Sequence, residues 1–151
     1  MRIIRYEDAQ GAARHAAQLP DGSALQIVGD IFGAYEVTKQ PAQVRKLLAP
    51  VAPVAFFCIG LNYRRHAEEG NAAIPQYPVL FMKSPAAVQN PGDPIELPRH
   101  LRSDQVDYEC ELAVVIGKRC KNVCKQAALD YVLGYTCAND VSARDWQGKW
   151  G

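Results

Sequence analysis

The chain has 151 residues, 48% hydrophobic and 22% charged, with a formal net charge of +1. These proportions suit a globular protein with a core, and the scattered Lys and Arg residues exclude nucleic acid as an expected partner, since phosphate binding needs a concentrated basic surface. The longest apolar runs, such as Val54 to Leu61, are far shorter than the roughly 20 residues needed to cross a bilayer, so no membrane partner is expected.

The N-terminal Met-Arg-Ile-Ile-Arg-Tyr-Glu-Asp lacks the apolar segment and cleavage site of a secretory signal, and a cytoplasmic location is expected. The cysteines at 58, 110, 120, 124 and 137 form an odd set without a CxxC pair. They read as ordinary reduced thiols rather than a disulfide framework or a zinc site.

In chain order, residues 1–50 read as a small α/β domain. Met1 to Tyr6 alternates as an edge strand, Pro20-Asp21-Gly22-Ser23 is a turn, and Ala24 to Val28 is a second short strand. Val44, Leu47 and Leu48 recur at helical spacing, which predicts a helix from Pro41 to Leu48, stopped by Pro50 and Pro53. Residues 51–151 differ in kind. Val54 to Ile59 is a continuous apolar run of the type a strand buried on both faces shows. Gly60 breaks it, and Asn62 to Glu69 follows as a polar helical stretch ended by Gly70. Pro78 to Met82 predicts another strand, and Pro85 to Pro98 is too proline-rich for regular structure. Asp107 to Ile116 is the clearest strand. Ala127 to Leu133 reads as a helix, and Gly134 to Ala138 as a strand leading through Asn139-Asp140 into a last helix. The fold class is therefore α+β, mainly β.

Three groups of residues carry chemistry. In a strand, residues two apart share a face, so Glu109 and Glu111 would lie side by side and continue into apolar Ala113 and Val115. Paired carboxylates on such a face repel one another and are costly to desolvate. A divalent cation relieves both, and oxygen ligands favour magnesium, manganese or calcium; a strand end emerging into solvent is the plainer alternative. Asp140 stands where a strand turns into a helix, and Arg144 and Gln147 follow at helical spacing on the same face. Such a carboxylate, guanidinium and amide suit an acidic, metal-bound substrate, although Asp140 could equally cap the helix and pair with Arg144. His66 and Glu69 lie at i, i+3, where the carboxylate could orient the imidazole as a general base, or both could be merely exposed.

Four segments in this order resemble the fumarylacetoacetate hydrolase superfamily. They are Gly60-Leu-Asn-Tyr-Arg-Arg-His-Ala-Glu-Glu69, Pro78-Val-Leu-Phe-Met-Lys83, Asp107-Tyr-Glu-Cys-Glu-Leu112 and Gly134-Tyr-Thr-Cys-Ala-Asn-Asp-Val-Ser-Ala-Arg-Asp-Trp-Gln147. The superfamily includes acylpyruvate hydrolases, oxaloacetate decarboxylases and hydroxymuconate-type isomerases and decarboxylases. The resemblance implies a mixed β-roll, often dimeric, behind a small N-terminal domain. It implies Glu109, Glu111 and Asp140 as ligands to a divalent cation, Mg2+ first, with Mn2+ or Ca2+ as alternatives. It implies His66 and Glu69 as the catalytic dyad, and Lys83, Arg144 and Gln147 as substrate-binding residues. The expected substrate is a small 2-oxo or enol carboxylate. Hydrolysis of a C–C bond is expected first, with isomerase or decarboxylase chemistry as the alternative and a non-catalytic metal-binding piece as a further one. The superfamily's later Gly-Lys-Ser/Thr-Phe-Asp segment does not occur before Gly151. The expectation is therefore a truncated roll, or a roll completed by another chain; the resemblance separately implies a homodimer.

Overall fold

The computed structural model describes residues 1–150. Alternation in β1 (Arg2–Glu7) sends Ile4 and Tyr6 to one face of a sheet and Ile3 to the other. The sheet is wholly antiparallel. Its order is β4 (Tyr35–Pro41), β3 (Ala24–Gly29), β2 (Ala13–Gln18), β1, β5 (Lys46–Leu48). Ala16 and Ala24 pack with Ile4 and Tyr6 on the first face, while Ala17 and Ile27 meet Ile31 on the second. At Gly29, with φ +102°, a Cβ would stand 2.4 Å from the Ala34 carbonyl oxygen, so the β3–β4 turn needs a glycine.

This corrects the expectation of an α/β domain. No helix occurs in the first fifty residues, and the segment expected to be helical from Pro41 to Leu48 instead ends β4 and forms β5. Three residues of β5 cap the open edge of β1, pairing Leu48 with Arg5 and Lys46 with Glu7. Edge pairing and the prolines on either side outweigh a weak helical periodicity. The strand β2 carried no strong propensity because it is alanine-rich. Its alanines are there for close packing: Ala16 is fully buried.

Beyond residue 50 the strands pair two by two among the described residues. The strand β6 (Phe56–Gly60) pairs with β7 (Val79–Lys83), and between them lies α1 (Arg64–Glu69). One face of β6 is open, with Phe57 63% exposed, so the reading of a strand buried on both faces does not hold for the described residues. The strand expected from Asp107 to Ile116 breaks at Tyr108–Glu109. Its first piece, β8 (Val106–Asp107), pairs with β11 (Ser142–Ala143), and its second, β9 (Cys110–Ile116), with β10 (Val132–Asn139). The expected helix at Ala127 to Leu133 is a 3-10 helix over Lys125–Tyr131, and β10 begins directly after it. The helix α2 (Arg144–Trp150) follows β11.

The β9–β10 register slips by one residue between Val132 and Gly134, leaving Leu133 outside the pairing as a bulge. Leu133 packs against Ala17, Ile27 and Ile31 of the N-terminal sheet. Gly117 makes room for it, since a Cβ there would come within 2.8 Å of the Leu133 Cβ. A second joint is polar: Lys46 pairs with Asp93 at 2.7 Å and the Ala49 N–H donates to Asn90 Oδ1 at 3.0 Å. No helix among the described residues is long and apolar enough to cross a membrane.

Candidate metal centre and active site

The site is assembled by the β9–β10 ladder. Cys110 pairs with Asn139 and Glu111 with Ala138, and the Asp140 N–H extends the ladder by donating to the Glu109 carbonyl at 2.9 Å. Residues directly opposite share a face, so Asp140 joins Glu109 and Glu111 on the half-buried side of the sheet. Cys110, Leu112 and Val114 point the other way, to the exposed side. Carboxylate oxygens of Glu109, Glu111 and Asp140 all lie within 4.8 Å of one another.

The electrostatics of the three acids are unbalanced without a cation. Burial pushes the Glu111 carboxyl up from its ordinary pKa, and the negative charges of Asp140 and Glu109 push it further. Lys83 and His66 act in the opposite sense. The Asp140 side chain is only 8% exposed, and Lys83 ion-pairs with its Oδ1. That contact lacks hydrogen-bond geometry, so Oδ1 is a buried oxygen with no hydrogen-bond partner among the described residues. Lys83 Nζ donates instead to the Val141 carbonyl at 2.9 Å. An oxygen-only set in which this buried oxygen has an ion partner but no hydrogen bond fits a hard divalent cation.

Arg144 does not pair with Asp140 as a helical neighbour. Its guanidinium reaches back across β8, ion-pairing with Glu109 and with Asp107 at 3.0 Å, and donates to Gln147 Oε1 at 3.1 Å. Its pKa is raised: burial works against the charge, but the hydrogen bonds it donates to Glu109 and Asp107, with their negative charges, outweigh it. The first turn of α2 is fastened beside it, with Ser103 donating to Asp145 Oδ1 at 2.6 Å.

A cleft of about 310 Å³ opens over the acids, lined by His66, Glu69, Tyr63, Glu109, Glu111 and Arg144 among others. Thus β6–α1 and β9–β10 bring His66, Glu69, Glu109, Glu111 and Arg144 to one hollow, while Asp140, beside Glu109 and Glu111, and its ion partner Lys83 do not line it. The dyad itself is looser than expected. His66 and Glu69 are both exposed, and among the described residues no hydrogen bond joins them. Two residues of the site carried no assigned role in the sequence reading. Asp107 was visible in the alternation Asp-x-Glu-x-Glu, whereas Tyr63, whose Oη accepts the Leu112 N–H at 3.1 Å, depends on a contact 49 residues away.

Residues 55–150 match the fumarylacetoacetate (FAA) hydrolase C-terminal family, and the chain belongs to that family. It is 49% identical over 104 residues to the mitochondrial oxaloacetate tautomerase of Xenopus laevis, covering 68% of this chain and 32% of that protein. It is 43% identical over 132 residues to the caffeoylpyruvate hydrolase of Neonothopanus nambi, covering 83% of this chain and 44% of that one. The solved 5-carboxymethyl-2-hydroxymuconate delta-isomerase of Mycobacterium smegmatis superposes over 100% of this chain and 59% of its own, with TM-score 0.83 and 36% identity. The chain spans about a third to a half of the length of the curated relatives it matches.

Proposed function

We propose that this protein acts on small 2-oxo or enol carboxylates with a divalent cation, and that hydrolysis of a C–C bond in an acylpyruvate-like substrate is its reaction. The observation that carries the proposal is the convergence of Glu109, Glu111 and Asp140 on one face, under a cleft that also holds His66 and Glu69. Glu109, Glu111 and Asp140 would hold the ion, with Mg2+ or Mn2+ favoured by the all-oxygen set. When bound, the ion supplies Lewis-acid stabilisation of the negative charge that develops on the substrate's 2-oxygen.

The remaining work falls to the chain's own residues. Arg144 and Lys83 bring positive charge for the substrate carboxylate, and Gln147 holds the Arg144 guanidinium in place. His66 Nδ1 or Nε2 takes a proton from a water entering the open side of the cleft, and Glu69 one turn away stabilises the imidazolium that results. The hydroxide so formed adds to the distal carbonyl; collapse of the tetrahedral adduct releases the carboxylic acid and breaks the C–C bond, whose electron pair passes to the enolate of the 2-oxo acid, and the His66 imidazolium returns its proton to that carbon.

A tautomerase or isomerase reading has its own support. His66 and Glu69 are exposed and not hydrogen-bonded to one another, and relatives named as tautomerase and isomerase share this part of the chain. The exposed apolar residues Phe57, Leu80, Met82, Leu112 and Ile116 support the expected association with a second copy or with further chain. The test is an assay of the protein with an acylpyruvate and with oxaloacetate, with Mg2+ or Mn2+ and with EDTA. Metal-dependent cleavage of the acylpyruvate supports the hydrolase, and interconversion of oxaloacetate tautomers alone supports the second reading. Turnover that ignores EDTA, or no turnover of either, overturns both.

A further inference from the structure

We propose that Tyr63 is the positioning residue for the His66–Glu69 dyad, acting through one hydrogen bond to the strand that carries the carboxylates. The inference rests on the dyad reading above and concerns how the dyad is held.

The helix that bears the dyad cannot hold itself. It has six residues, where isolated helices shorter than about 12–15 are marginal even in favourable sequences. Its N-cap is Tyr63, in extended backbone with φ −113° and ψ 124°, and no side chain caps the first turn. Since His66 and Glu69 are exposed and unbonded to one another, the direction of the imidazole follows the direction of the helix.

Two anchors fix that direction. Ala67 is fully buried, but a methyl group sets distance rather than rotation. The other is directional: the Leu112 N–H donates to Tyr63 Oη at 3.1 Å. The geometry of β9 makes that donor available. The Asp140 N–H donates to the Glu109 carbonyl, so Glu109 and, two residues on, Glu111 aim their backbone carbonyls at β10, and Leu112 between β10-facing positions aims its N–H away, at the other edge of β9. The phenol oxygen satisfies a strand-edge donor one residue from Glu111. It thereby ties the first residue before α1 to the strand whose side chains form the acidic cluster.

The approach to Tyr63 is equally fixed. Leu61, which also lines the cleft, sits at φ +49°, a conformation that a branched apolar residue adopts only where its surroundings impose it. The chain therefore leaves β6 through a tight elbow, places Tyr63 on β9, and starts the helix from that point. Tyr63 touches no reacting atom in this account and works through His66.

The test uses Tyr63→Phe, which keeps the ring and removes the acceptor. By hydrogen exchange, the Leu112 amide and the Ala67 amide of α1 should exchange on the order of tenfold faster, the effect of losing one hydrogen bond, with amides of β1–β4 unchanged. Hydrolytic kcat should fall about tenfold at unchanged KM and unchanged Mn2+ affinity, as a misaimed base costs rate rather than binding. In a His66→Ala background the same substitution should cost nothing further, because both act on one step. Unchanged exchange at Leu112 overturns the proposal. So does an additive loss in the double variant, which would give Tyr63 a role of its own, or a parallel fall in Mn2+ affinity, which would make the tyrosine a general support. Should His66→Ala leave turnover intact, the dyad reading fails, and the exchange rates at Leu112 and Ala67 still decide whether Tyr63 anchors the helix.

Discussion

Asp140 faces Glu109 directly across an antiparallel ladder, its N–H donating to the Glu109 carbonyl at 2.9 Å. Residues 31 positions apart thus become immediate neighbours, and the one carboxylate set by a helix boundary is delivered to the two set by strand alternation. The arrangement makes the acidic cluster a property of strand register, which is strongly specified wherever one face is buried.

The first prediction concerns these carboxylates. Asp140→Asn and Glu109→Gln should each weaken Mn2+ binding by at least the 10–100-fold that loss of a supporting partner costs in metal sites. Isothermal titration of the purified variants measures it. Equal affinity in wild type and both variants would remove the proposed centre.

Arg144 yields an expectation of opposite sign. It competes for Glu109 with any incoming cation, so Arg144→Ala should bind Mn2+ about fivefold more tightly, the worth of a partly exposed ion pair of about 1 kcal/mol. At the same time KM for an acidic substrate should rise. Weaker metal binding in Arg144→Ala would show that the guanidinium supports the site and does not compete for it.

For the dyad, His66→Ala should lower hydrolytic kcat by about 10²–10⁴-fold, with Glu69→Gln costing less because the imidazole remains. Metal affinity should stay level in both. Stopped assays at saturating Mn2+ on an acylpyruvate and on oxaloacetate separate the two readings, since tautomer interconversion should survive His66→Ala.

His15 predicts a pH effect far from the site. It lies in β2 between Arg5 and Ile27, and its Nε2 is buried without a hydrogen-bond partner among the described residues. Burial, helped by the charge of Arg5, holds its pKa below the ordinary value, while Asp30 opposes. The unfolded chain therefore takes up a proton near pH 6.5 while the folded one does not. Stability from this group is complete above about pH 6.5 and is lost as pH falls from there through the lower folded value. Thermal denaturation from pH 7.5 to 5 should show that decline, and His15→Phe should flatten it.

Much of the site was legible because strand alternation and helical spacing act over a few residues. Glu109 and Glu111 share a face by period alone, and His66 and Glu69 share a helix by spacing alone. What escaped depended on partners distant in sequence. Lys83, and not Arg144, is the ion partner of Asp140, because β7 lies beside β10's end in space while i, i+4 spacing pointed within the helix. The helix expected at Pro41 to Leu48 failed similarly, since the open edge of β1 is invisible from those eight residues. No expectation covered β2, because alanine is a weak strand former and only the close packing of Ala16 with Ile4 and Tyr6 explains it there.

Leu133 gives the molecule a joint that the acidic cluster does not feel. The bulge stands outside the β9–β10 pairing, so the residue that grips the N-terminal sheet bears none of the ladder that pairs Asp140 with Glu109. The consequence is a separation of load: what the N-terminal sheet presses on Leu133 falls on the bulge, outside the pairing that sets the spacing of the carboxylates. The apolar joint is one leucine seated against Gly117, and the polar joint of Lys46 and Ala49 with Asp93 and Asn90 likewise lies outside the β9–β10 ladder.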